Sequence, residues 1–182
     1  RSQEVGLLQL VHISDALTAA YESTDYQVSV NGTTQILRVG ETLCTPLSAI
    51  GSTIAVVTAF NPFSQTLAAL ENERRHRLLV EDVVNRGYTA LPAVGVAAKG
   101  RWSGEQSLAV VQPDVKVLDE WMVAFQQNAV FLVSSDQPGR LLMHPNEERR
   151  HCVDPDAISS AIERLESDGT RLASVINREK YP

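Results

Sequence analysis

The residues best suited to small-molecule chemistry in this chain are Asn61, Ser64, Glu105, Gln127 and Asn128, supported by Trp102. Glu105 is the candidate catalytic group. A carboxylate placed next to Trp102 at the mouth of a strand is partly desolvated, which raises its pKa toward the range useful for general acid or base work. Gln127 can donate and accept, so it could read an amide or a base edge. Trp102 offers a stacking face, and Asn61 and Ser64 supply a carboxamide and a hydroxyl where an apolar strand opens into a helix. Free backbone N–H groups at such a junction favour a polar or anionic ligand. Each residue also has a purely structural reading. Asn61 before Pro62 is a common turn former, Ser64 a plausible N-cap, Asn128 a cap for the end of its helix, and Glu105 an exposed loop carboxylate.

The elements that must position these groups follow from periodicity. Apolar positions at helical spacing run from Leu8 to Tyr21, and Ser14-Asp15 could cap a shorter helix within that span. Tyr26 to Val30 and Thr34 to Val39 alternate around Asn31-Gly32, a pair that supplies the positive φ angles of a tight hairpin. Ser52 to Ala59 reads as a buried strand, and Pro62 ends it before a helix from about Ser64 to Arg86, stopped by Gly87. Strands follow at Thr89 to Ala98 and Gln106 to Val111. Pro113-Asp114 then starts a helix with the stripe Leu118, Trp121, Met122 and Phe125, a spacing typical of core packing. Ala129 to Val133 is the next strand, with Arg140 to Met143 as a candidate for another.

Over residues 52–134 the order is strand, helix, strand, strand, helix, strand, so the expected fold class is α+β. The specific expectation is a ferredoxin-like split βαβ sandwich. An N-terminal helix and hairpin (8–39) precede this core, and an amphipathic C-terminal helical extension (155–178) follows it, all within a single domain of residues 1–182. In that topology Asn61, Ser64, Arg101, Trp102, Glu105, Gln127 and Asn128 converge at one end of the sheet. Asn72 and Arg75 share a face of the first core helix. At about 1.5 Å rise per residue, Arg75 stands roughly 16 Å from Ser64, too far for a compact ligand that touches the helix start. Glu71 and Arg75, spaced i to i+4, form an internal brace or an interface feature instead.

Composition narrows the field. With 182 residues, 43% hydrophobic and 21% charged, the chain resembles an ordinary soluble protein. Its net charge of -6 argues against wrapping nucleic acid, which needs a basic surface to displace counterions. Arg74, Arg75, His76 and Arg77 point in different directions on a helix, with Glu71 and Glu73 beside them. Cys44 and Cys152 form no CxxC pair, and the expected setting is the cytoplasm with reduced thiols. No apolar run approaches the roughly 20 residues that cross a bilayer, and no charged-then-apolar signal segment opens the chain. Motifs for a serine hydrolase, a zinc enzyme or a phosphate loop are absent, so no metal is expected and the cofactor is left unassigned.

The stretch Thr58-Ala-Phe-Asn-Pro62 with Ser64, Leu67, Glu71-Asn72 and Arg75 resembles the bacterial family called domain of unknown function 3293. Gly87-Tyr88, Trp102, Glu105-x-Ser-Leu108 and Phe125 with Gln127-Asn128-Ala129 extend the resemblance over about Tyr21 to Ser134. It implies no reaction, but it singles out Thr58, Asn61, Ser64, Asn72, Arg75, Glu105 and Gln127. Gln126 departs from it, since a small residue such as Gly is expected there. The leading expectation is a domain that binds a small polar or anionic ligand, nucleotide-like compounds included. The alternative is a noncatalytic interaction or regulatory module that uses a sheet edge and the C-terminal helix, with homo-oligomerisation open.

Overall fold

The computed structural model describes residues 10–97 and 104–147. Seven strands form one sheet in the order β2-β1-β4-β5-β3-β6-β7, and every neighbouring pair is antiparallel. The strands are β1 (Thr24–Val30), β2 (Thr33–Leu37), β3 (Thr53–Thr58), β4 (Ala90–Ala97), β5 (Glu105–Val111), β6 (Ala129–Ser134) and β7 (Arg140–Met143). Helices α1 (Asp15–Glu22), α2 (Leu47–Ile50), α3 (Ala69–Asn85) and α4 (Val115–Ala124) complete the described elements, with a 3₁₀ turn at Pro62–Ser64.

The split βαβ sandwich is not what folds. The anticipated elements occur in sequence order, but they are built into a seven-stranded sheet that curls into a half-barrel. Tyr26 on β1 and Phe131 on β6 demonstrate the curl. Three strands lie between β1 and β6, so a flat sheet at about 4.8 Å per strand would hold them ~19 Å apart. Their rings nevertheless stack at 4.5 Å between centroids. The free ends of the sheet also approach each other. Gly40 N–H donates to Gly139 O at 2.7 Å, and Gly139 N–H donates to Glu41 O at 2.8 Å, linking the loop after β2 to the residue before β7. A Cβ on Gly139 would lie 2.4 Å from Arg38 O and 2.7 Å from the Phe131 ring, so this closure requires glycine.

Curling explains why the central strands are apolar on both faces. In β3, Ile54, Ala55, Val56 and Val57 are all buried, and in β6 so are Val130 to Val133. One face packs on α3 and α4 through Leu79, Val83, Leu118, Trp121 and Met122. The other closes on Val28, Val30, Leu37, Leu43 and Leu47 from β1, β2 and the chain through α2. A strand buried on both sides reads as a continuous apolar run rather than an alternation.

Local signals account for most boundaries. Ser14 caps α1 by accepting from Leu17 N–H at 3.2 Å, so the shorter N-terminal helix forms. Asn31 and Gly32 both take positive φ in the β1–β2 hairpin, as the turn chemistry demands. Helix α3 starts at Ala69 rather than near Ser64, and Ser64 is not its cap. Between β3 and α3 the chain instead holds Asn61, Phe63 and Ser64 at φ 47°, 47° and 60°. Left-handed backbone at non-glycine residues costs about 1–3 kcal/mol each and persists only where neighbouring contacts enforce it.

Candidate functional site

Strand register gathers the site before any loop is considered. Directly opposed residues of antiparallel strands project from the same sheet face, as do residues two apart on one strand. Tyr26 pairs with Gly95 and Gly95 with Glu105; Thr58 pairs with Ser107, and Val56 with Phe131, which in turn pairs with Leu141. All of these line one cleft on the concave face, open to solvent and with a cavity volume of about 100 Å³. Gly95 contributes no side chain between Tyr26 and Glu105, which leaves room for the hollow. Helix α1 borders it with Leu17, Ala20 and Tyr21.

At the polar end, Asn61 Nδ2 donates to Glu105 Oε1 at 2.7 Å. Asn61 is itself locked in place. Its Oδ1 accepts from Asn72 Nδ2 at 2.8 Å and from Leu67 N–H at 3.0 Å, while its own N–H donates to Asn72 Oδ1 at 2.9 Å. Asn72, buried on α3, thus over-determines the left-handed turn and sets the angle at which Asn61 meets Glu105. Burial raises the pKa of the half-buried Glu105 carboxyl, and the Asn61 hydrogen bond opposes that only in part.

A second group lies beside it. Tyr21 Oη and Ser64 Oγ are 2.6 Å apart, and the buried Asn128 amide donates to Tyr21 Oη at 2.9 Å and to Ser64 Oγ at 3.3 Å. One hydroxyl hydrogen bridges the two oxygens, so the other is free for a third acceptor. Burial raises the pKa of Tyr21, the bonds to Ser64 and Asn128 lower it, and the Glu105 charge raises it again. Tyr21 therefore stays protonated at neutral pH and serves as a donor.

The remaining candidates are committed to backbone. Thr58 Oγ1 donates to Gln106 O at 2.8 Å and accepts from Phe60 N–H at 3.1 Å. Gln127 lines the cleft, but its Nε2 donates to Phe60 O at 2.9 Å and to Phe125 O at 3.0 Å, leaving only its carbonyl oxygen for another partner. Arg75 Nε donates to Ala59 O at 2.7 Å and its Nη2 to Phe125 O, tying the end of β3 to the end of α4. The i to i+4 brace between Glu71 and Arg75 does not form: Glu71 pairs with Arg74 at 2.8 Å. Arg101, Trp102 and the expected C-terminal helix (155–178) lie outside the described residues.

Tyr21 and Tyr26 belong to the cleft, and the signal for them was faint: a tyrosine at the end of an amphipathic helix and another within a hairpin strand. Gln126 has a structural explanation. Helix α4 ends with Gln126 N–H donating to Val123 O at 3.3 Å and Gln127 N–H to Met122 O at 2.9 Å, a Schellman motif whose C′ residue, Gln126, sits at φ 53°. Helix α3 closes with the same motif and places Gly87 there.

Comparison with known proteins adds one result. Residues 57–130 match the family described as Protein of unknown function (DUF3293). That stretch belongs to the family. No curated protein and no solved structure matches the chain. The DUF3293 stretch contains Asn61, Ser64, Glu105, Gln127 and Asn128, whereas Tyr21, Tyr26 and Phe131 come from outside it. Among the described residues there is no group of three or more His, Cys, Asp or Glu placed to hold a metal ion, and no helix is long and apolar enough to cross a membrane.

Proposed function

We propose that the concave cleft binds a small polar molecule with an apolar body, and that Glu105 is the group that exchanges a proton with it. The observation carrying this reading is the contrast in commitment among the polar residues. Asn61, Asn72, Thr58 and Arg75 spend their hydrogen bonds on holding the walls, while Glu105, the Tyr21–Ser64 hydroxyl pair and the Gln127 carbonyl face the same hollow with capacity to spare. A raised carboxyl pKa suits Glu105 to general acid or base work, and a strained, multiply fixed loop beside it is the kind of backbone that pre-organises a site. Val56, Phe131 and Leu141 would receive the apolar part of the ligand.

The test is a thermal-shift screen of polar metabolites against the wild type, with each hit re-examined in Glu105→Gln and Ser64→Ala. Hits that shift the wild type and lose their effect in either variant support the reading. Hits whose shifts are identical in all three proteins would sink it.

A further inference from the structure

We infer that the cleft selects a cationic or N–H-donating head group, an ammonium or amidinium on an apolar body, rather than an anion. This rests on the cleft being a ligand site and adds the sign of charge that it takes. Among the described lining residues Glu105 is the one carboxylate, and no Lys, Arg or His stands with it. Arg75, the cation tied to the nearby loop, already serves the carbonyls of Ala59 and Phe125.

The polar inventory then dictates complementarity. Glu105 accepts one hydrogen bond from Asn61 and, as a carboxylate, can accept more. Gln127 contributes an acceptor, because its amide hydrogens are spent on Phe60 and Phe125. The Tyr21–Ser64 pair contributes a single free hydroxyl hydrogen. Among the described lining residues acceptors therefore outweigh donors, and the one formal charge is negative. A ligand anion would meet like charge in a partly desolvated hollow, whereas an ammonium would supply a counter-charge to Glu105. The stacked rings of Tyr26 and Phe131 line the same hollow and favour a cation with an apolar or aromatic body.

The experiment compares three probes of one shape by calorimetric titration of the full chain: 2-phenylethylammonium, 2-phenylethanol and 3-phenylpropionate. The ammonium is expected to bind about ten-fold more tightly than the alcohol, as one charge-assisted hydrogen bond allows, and the carboxylate most weakly. Glu105→Gln should bring the ammonium to the level of the alcohol. Gly95→Leu is the cleft-filling control, since a Cβ there meets nothing closer than Thr24 Cγ2 at 3.8 Å. Ala129→Leu is a second filling variant, and melting curves of both check that the fold persists. Ammonium binding that is absent, or unchanged in Glu105→Gln, or weaker than carboxylate binding overturns the inference. In that event, a carboxylate or alcohol whose binding is lost in the filled variants leaves the cleft standing as a ligand site. Binding that survives in both filled variants removes the cleft as well.

Discussion

The two faces of the curled sheet are built on opposite principles. On the convex face α3 and α4 cover the strands with Leu79, Val83, Leu118, Trp121 and Met122, and the indole Nε1 of the buried Trp121 donates to Asp82 Oδ2 at 2.6 Å. On the concave face an apolar core fills one part of the curl, while the other part is a cleft where Glu105 is kept half-buried. Cohesion comes from removal of apolar area from water on the first face and in the apolar part of the second. The second also carries a partly desolvated carboxylate beside three left-handed residues, the arrangement on which the proposed site rests.

That contrast can be broken most severely at Trp121. Trp121→Ala should cost about 3–5 kcal/mol, read from urea denaturation, because it opens a cavity and removes the indole donor from Asp82, which keeps its ion pair with Arg86. Asn72→Ala should cost less, about 2–3 kcal/mol. It removes the carboxamide that accepts from Asn61 N–H and donates to Asn61 Oδ1 at a buried position, and in addition it should alter the chemical shifts of Glu105. An Asn72→Ala protein with an unaltered Glu105 signal would show that the polar wall does not set the carboxylate.

Gln126→Gly sharpens the comparison from the stabilising side. Relief of the left-handed side chain at the α4 terminus should add about 1 kcal/mol, matching the glycine that α3 uses at the equivalent position. Denaturation midpoints check this, and a loss of stability would mean that the Gln126 side chain carries a contact of its own.

The smallest expected effect concerns Glu105 and pH. Its folded pKa lies above the ordinary value near 4.5, so the folded state binds the proton more readily than the unfolded one. The contribution is therefore most favourable below the ordinary value and is lost as pH rises through the raised one. Glu105→Gln should flatten this part of the pH profile and leave neutral-pH stability equal or slightly higher. Its amide oxygen can still accept from Asn61. A variant that is markedly less stable at neutral pH would contradict the desolvation account.

The elements were largely legible because their causes are local. Asn31-Gly32 marks its hairpin, Gly87 ends α3, and Leu118, Trp121 and Met122 describe the buried stripe of α4. The curl was not, because its causes are distant: the Tyr26–Phe131 stack and the Gly40–Gly139 link join segments that no window of sequence contains. Continuous burial of Ile54 to Val57 was the trace that the curl left in the sequence. At the cleft, the junction residues could be found from their types, but Tyr21 could not. Its partners Ser64 and Asn128 are 43 and 107 positions away. Arg75 misled through spacing, since the carbonyls of Ala59 and Phe125 draw it inward and leave Glu71 to Arg74.

The most direct measurement is a titration of the Glu105 side-chain carboxyl by ¹³C nuclear magnetic resonance in the ligand-free protein. A pKa above the ordinary glutamate value of about 4.5 is expected, because burial disfavours the charged form. A value at or below that figure would mean that a positive charge or a full hydration shell already serves the carboxylate, and would contradict both its proton-exchange role and the preference of the cleft for a cation.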